Sequence, residues 1–388
     1  MTAHSGRHFL QIPGPTNVPD RVLHAIAQPT IDHRGPEFGE FTLDLLQRVK
    51  PVFGTANPVV IYAGSGTGAW EAALVNTLSP GDRVLAFETG HFATLWRDMA
   101  LKLGLTVEFV PGDWRHGADP AAVAEHLAAD TEHGIKAVMV VHNETSTGVT
   151  SRIPEIRAAI DEADHPALLF VDTISSLGSI DYRHDDWGVD VTIGCSQKGL
   201  MLPPGLGFNA ISDKALAASA HATMPRSYWD WAPMLRDNER GFYPHTPATN
   251  MLFGLREALI MLDEEGLPNV FARHQRHAEA TRAAVRGWGL EVLCANEREY
   301  SGVLTAVLVG EEHDADKVRR IILDRFDMSL GTGLGKLAGR VFRIGHLGHF
   351  NDLALAGTLS GVQMGLELAG VDIDPAGLQA ALEVLRAP

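Results

Sequence analysis

Seven short apolar runs rich in β-branched residues punctuate the chain between Pro58 and Ser212: "PVVIYAG", "RVLAFE", "TVEFVP", "KAVMVVH", "ALLFVDT", "DVTIGCS" and "LGFNAIS". Between several of them lie segments with apolar residues at helical spacing, among them "GAWEAALVNTL", "ATLWRDMALKL", "PAAVAEHLAA" and "IPEIRAAIDEA". Strands that are apolar almost throughout lack the alternation of a sheet with one wet face, so both faces must be covered. Amphipathic helices between such strands supply the cover. The pattern predicts an α/β fold with a mainly parallel, mixed sheet between helices.

After "HTPATNMLFGLREALIMLDEEGL" the rhythm changes. A long charged helix, "NVFARHQRHAEATRAAVRGWG", leads to the strand "SGVLTAVLVG", a helix near Ala315 to Phe326, the strand "RVFRIGH" and two closing helices. A chain of 388 residues exceeds the usual size of one hydrophobic core. We therefore expect an extended N-terminal arm (1–20), a large domain (21–264) and a smaller C-terminal α+β domain (265–388). The excess of Asp+Glu (48) over Lys+Arg (32) argues against nucleic acid or an anionic membrane as partner. Two cysteines, Cys195 and Cys294, are too few for a disulfide framework, and no stretch is apolar and long enough to span a bilayer. With no secretory h-region at the N-terminus, cytoplasm is the expected location.

Ligands of parallel sheets sit at the carboxyl ends of the strands, which directs attention to the residues just after each apolar run. After "VVIYA" comes "GSGTG", opening a helix, a geometry that offers backbone N–H groups and a positive helix end to an anion. It matches neither a P-loop nor the dinucleotide fingerprint, and taken alone such a turn serves tight packing as readily. Asp172 follows "ALLFV"; a single Asp there also reads as a turn residue or helix cap. Lys198 is harder to dismiss, because "GCSQKGLMLPPGLGF", Gly194 to Phe208, holds no other charge. Desolvation beside a buried strand disfavours the ammonium and makes the amine a nucleophile. Schiff-base chemistry on pyridoxal phosphate (PLP) needs that amine, an anion-binding helix start and an acid opposite the pyridine nitrogen. All three stand at strand ends here.

Other signals are weaker. His274 and His277, and His346 and His349, have His-x-x-His spacing without further ligands, so they read as solvated helix and turn positions and no metal site is expected. Cys195 reads as a small buried cysteine at a strand end. "GCSQKG" is not a serine-hydrolase elbow.

The chain resembles the fold-type I PLP-dependent aminotransferases of class V, in the group of alanine–glyoxylate and serine–glyoxylate aminotransferases. The resemblance runs in order through "IPGPTNVP", "GSGTGAWEAALVNTLSPGD", "HNETSTGV", "VDTISSLGS", "GCSQKGLMLPPGL", "HTPATN" and "FRIGHLG". "TIDHRGPEFG", "FVPGDWRHG" and "GSIDYRHDDWGVD" are most similar to the bacterial serine–glyoxylate branch. It implies transamination of L-serine with glyoxylate to hydroxypyruvate and glycine by a homodimer with shared active sites; alanine, aspartate or a ureido amino acid as donor, and pyruvate as acceptor, stay open. A PLP lyase or desulfurase would need a mobile catalytic cysteine, and a non-catalytic binding protein on this fold is the third alternative.

The resemblance also implies residue roles. Lys198 holds PLP as a Schiff base and moves the proton between the substrate Cα and the cofactor, and Asp172 keeps the pyridine nitrogen protonated. Ser65, Gly66, Thr67 and Gln197 take the phosphate, with Tyr243 and Thr246 from the partner subunit. Phe92 falls where relatives stack an aromatic ring on the cofactor, often tryptophan, while Ile174 packs on the other face and Thr145 contacts the phenolic oxygen. Arg343 is the carboxylate clamp, a role that its planar guanidinium and apolar neighbours Phe342 and Ile344 support. Arg34, His33, Thr16 and Asn17 are placed toward the substrate.

Overall fold

The computed structural model describes residues 6–387; the first five residues of the expected arm and Pro388 lie outside the described residues. All seven apolar runs join one sheet, ordered Val59–Ala63, Leu206–Ile211, Val191–Cys195, Leu168–Asp172, Ile135–Val141, Arg83–Phe87 and Thr106–Val110. Only Leu206–Ile211 runs antiparallel to its neighbours. The six parallel strands therefore end on one edge.

Both faces of this sheet are buried, as the lack of alternation requires. Along Val59–Ala63, Val59 and Ile61 enter one core while Val60 and Tyr62 enter the other. Leu169 and Val171 face the first, Leu168 and Phe170 the second. Helix Gly66–Thr77 is buried on nearly every side because it packs on the sheet and against helices His91–Lys102 and Asp213–Ser219, which suits its small residues Ala69, Ala72 and Ala73.

A second sheet is ordered Phe9–Gln11, Met328–Thr332, Val341–Gly345, Leu304–Leu308 and Glu291–Val292, covered by helices Ala315–Phe326 and Asp352–Ala369. Its first strand comes from the N-terminus and pairs in parallel with Met328–Leu330. The expectation of an extended arm did not include this pairing, because "FLQ" is too short to register as a strand. Two glycines let the arm pass flush: a Cβ on Gly345 would come within 2.9 Å of Pro13 N, and one on Gly331 within 2.8 Å of Pro13 Cδ.

The histidine reading is corrected. His274, His277 and His346 are buried, not solvated. His274 Nδ1 bonds the Val270 carbonyl at 2.7 Å, and His277 Nε2 bonds Asp352 at 2.9 Å. Burial holds His274 down to about 3. Helical spacing alone could not tell a polar face from an inward one lined with acceptors. Among the described residues no group of side chains suits a metal ion, and no helix is long and apolar enough to cross a membrane.

Candidate active site

The carboxyl ends of the parallel strands surround a cavity of about 150 Å³. Ser65, Gly66 and Thr67 enter it after Val59–Ala63, Asp172 ends Leu168–Asp172, and Gln197 and Lys198 follow Val191–Cys195. Phe92, Thr145 and Ile174 line it too. Nine of the positions expected around a cofactor thus meet in one place.

The electrostatics are those of two buried opposite groups without a paired neutral state. Burial, opposed by an N–H bond from Ile174 at 2.7 Å and helped by the nearby Glu144, pushes the Asp172 carboxyl up to about 7. Burial pulls Lys198 down to about 8, with Arg343 adding to the lowering. Lys198 makes no ion pair among the described residues; its Nζ donates to the Pro13 carbonyl instead. Its carbonyl accepts from Thr16 Oγ1 at 3.1 Å. A Cβ on Gly14 would overlap the Lys198 side chain, so the "IPGP" turn closes over the amine.

The residues fit PLP on their own chemistry. Helix Gly66–Thr77 starts with no side-chain cap from Ser65, which leaves its first N–H groups for an anion at the cavity wall. The Gln197 amide oxygen is buried there without a partner, and a carbamoyl group can turn either end to a ligand. A side chain at residue 66 would displace Ile174 from the cavity wall, because a Cβ would lie 2.5 Å from Ile174 Cδ1. These groups would hold a phosphate at one end of the cavity, Asp172 a ring nitrogen, and Lys198 an aldehyde carbon.

Arg343 stands one residue behind the wall. Its Nη1 donates to the Thr145 carbonyl at 2.6 Å and its Nε to that of Thr332 at 2.8 Å. Burial lowers it to about 10, still charged at neutral pH, and no carboxylate pairs with it among the described residues. A buried guanidinium lacking its anion is the condition of a carboxylate site.

The remaining positions do not line the cavity of the same chain. Thr16 touches the Lys198 backbone, while Asn17 is exposed and bonds the Leu10 carbonyl. His33 is half-buried and Arg34 exposed. Tyr243 packs beside Phe38 with its hydroxyl buried and unpartnered, and Thr246 is exposed. Residue-by-residue reading missed Trp70, Asn143 and Ser175 in the wall, and the Pro13 carbonyl on Lys198. Asn143 and Ser175 lock each other through two bonds of 2.7 Å. Asn143 stands in "HNETSTGV" beside the expected Thr145, a signal that was present; the Pro13 contact had none, since 185 residues separate the two.

Comparison with known proteins points the same way. The family described as aminotransferase class-V matches residues 8–333. The chain is 48% identical to serine–glyoxylate aminotransferase of Methylorubrum extorquens, covering 99% of this chain and 98% of that one. It is 45% identical to L-aspartate–glyoxylate aminotransferase of Paracoccus denitrificans, over 97% of this chain and 95% of the other. Among solved structures, ureidoglycine–glyoxylate aminotransferase of Bacillus subtilis superposes with a TM-score of 0.91 at 28% identity, covering 100% of both chains.

Proposed function

The chain belongs to the class-V aminotransferases, and from that premise we propose that it transfers the amino group of L-serine to glyoxylate, giving hydroxypyruvate and glycine. The observation that carries the reading is the buried, unpaired Lys198 facing the same cavity as Asp172 and an uncapped helix start.

PLP, the family's cofactor, supplies an electrophilic carbon for the amine and a sink for the electron pair released when the substrate Cα–H bond breaks. Lys198 Nζ, with its lowered affinity for a proton, would accept the proton from Cα and return it to the carbon on the far side of the transferred nitrogen, two bonds away. Asp172 supplies the negative charge that keeps a ring nitrogen protonated. Arg343 binds the α-carboxylate common to donor and acceptor, so one site serves both half-reactions in turn. Phe92 and Ile174 exclude water from the ring faces.

Two facts favour serine. Apart from Lys198 the residues lining the cofactor cavity carry no cation among the described residues, which leaves nothing there to meet a second donor carboxylate. A 48%-identical relative bears that name. The aspartate–glyoxylate relative at 45% supports a second reading, in which Arg34 of a second copy meets the extra carboxylate. We assign Tyr243, Thr246, His33 and Arg34 to a shared site in a homodimer, supported by the unpartnered Tyr243 hydroxyl and His33 Nε2. A reducing, cytoplasmic setting agrees with the two free, buried cysteines.

Steady-state rates with glyoxylate fixed and the donor varied test the assignment. Serine should exceed aspartate and alanine by about 10-fold or more in kcat/KM. Aspartate ahead of serine would overturn the choice of donor while leaving the aminotransferase reading intact.

A further inference from the structure

Helix His91–Lys102 begins after Gly90, which has no side chain to cap it. Its first N–H groups are taken from across the site. Glu144, fully buried, accepts from Phe92 N–H at 3.3 Å and Ala93 N–H at 3.0 Å. It also accepts from the Ser146 N–H at 3.0 Å and hydroxyl at 2.6 Å. Ser146 Oγ accepts in turn from His91 N–H at 2.9 Å. Every partner of Glu144 is a donor, which suits an acceptor-only carboxylate and not an amide. The group lies on the positive end of a helix of 12 residues, where negative charge is stabilised. Residue 90 must be glycine for the pair to reach, since a Cβ would lie 2.5 Å from Ser146 Oγ.

The turn does more than finish a helix. Phe92, in the pinned first turn, lines the cavity. Thr145, between the two capping residues, also lines it and gives its carbonyl to Arg343 at 2.6 Å. One three-residue turn therefore touches the aromatic wall on one side and the guanidinium on the other.

We propose that Glu144, with Ser146, is a positioning residue for the cofactor, holding the Phe92 ring in register with the cavity by fixing the start of helix His91–Lys102. The inference rests on the PLP reading of the cavity. It differs from simple helix capping, which would alter stability without altering how the ring is held.

The test is a double-mutant cycle on the full-length protein, stripped of PLP and titrated with it, following visible absorbance and circular dichroism alongside thermal unfolding. Wild-type protein that takes up no PLP would overturn the cofactor reading and the inference with it. Given uptake, Glu144→Gln, whose –NH2 must face an N–H, should weaken PLP binding about 10-fold and change the visible dichroism of the bound cofactor. In a Phe92→Ala background the same substitution should change binding by less than about twofold. An equal loss in both backgrounds, or a lowered unfolding temperature with PLP affinity and dichroism unchanged, would show that Glu144 does not act through Phe92. Ser146→Ala, which keeps the carboxylate, runs through the same cycle with the same criteria and decides the matter should Glu144→Gln fail to fold.

Discussion

At the scale of single residues, the site keeps two ionisable groups in a dry place where each resists its own charge. Asp172 and Lys198 are brought to about 7 and about 8 by burial before other causes. The sign of the linkage follows. A carboxyl whose folded pKa lies above its unfolded value adds stability that is full below about 4 and lost as pH rises through 7. Lys198, held below its unfolded value, adds stability present above about 10.5 and lost as pH falls through 8. His142 and His184 are each held to about 4 by burial, so they oppose Asp172 over part of its range, and only a difference isolates the carboxyl. For the protein without PLP, the stability of wild type minus that of Asp172→Asn should fall between pH 4 and 7 by up to roughly 4 kcal/mol. Urea unfolding across that range measures it, and a flat difference would mean that Asp172 is not desolvated as described. Lys198 and Asp172 were legible from sequence because each is a lone charge at the end of an apolar run. Glu144 was not, since a carboxylate flanked by Asn143, Thr145 and Ser146 looks like any polar loop residue.

At the scale of elements, the strands and helices of the large sheet could be read because continuous apolar runs leave one solution, a sheet covered twice. The exactness of the site comes from close approaches that such a pattern does not encode. Gly207, in the one antiparallel strand, lies under the turn before helix Gly66–Thr77; a Cβ there would sit 2.7 Å from the Ser65 carbonyl and 3.3 Å from Ala69 Cβ. Backbone cannot yield as a side chain does. Gly207→Ala should therefore shift the uncapped helix start, destabilising the fold by about 1–3 kcal/mol and weakening PLP binding by about 10-fold. Titration with PLP beside denaturant unfolding checks both, and PLP affinity equal to wild type would mean that this turn does not hold the phosphate. A second element contact bridges the two sheets' layers: Lys336 pairs with Glu88 and lies 5.3 Å from the centre of the Trp114 ring. This pairing had no local signal in the sequence, because its two members lie 248 positions apart.

At the scale of the molecule, the proposed dimer gives the buried, unpartnered Tyr243 hydroxyl and His33 Nε2 a common purpose. The mass in solution should be about twice the 41.9 kDa of one chain. Shared sites make a sharper demand. Lys198→Ala protein mixed, unfolded and refolded with a Tyr243→Phe, Thr246→Ala double variant should recover about a quarter of wild-type activity, since half the dimers are hybrids and each hybrid has one intact site. No recovery above the sum of the parents would place Tyr243 and Thr246 outside the partner's site. The second sheet's strands Leu304–Leu308 and Val341–Gly345 fall in runs that follow the change of rhythm after Leu267, whereas the return of the N-terminus to that sheet had no signal. Three residues pairing across more than 300 positions leave no local trace.

That return sets an order of events during synthesis. The turn at Pro13 and Gly14, which closes on the Lys198 amine, is made before the lysine it covers. The strand that leads into it, Phe9–Gln11, has no strand partner until Met328–Leu330 emerges, more than 300 residues later. Before that pairing the turn has only its contacts with Gln197 and Lys198 to hold it, so a nascent chain halted short of Met328 should leave its Lys198 amine more open to an added aldehyde than the finished protein does.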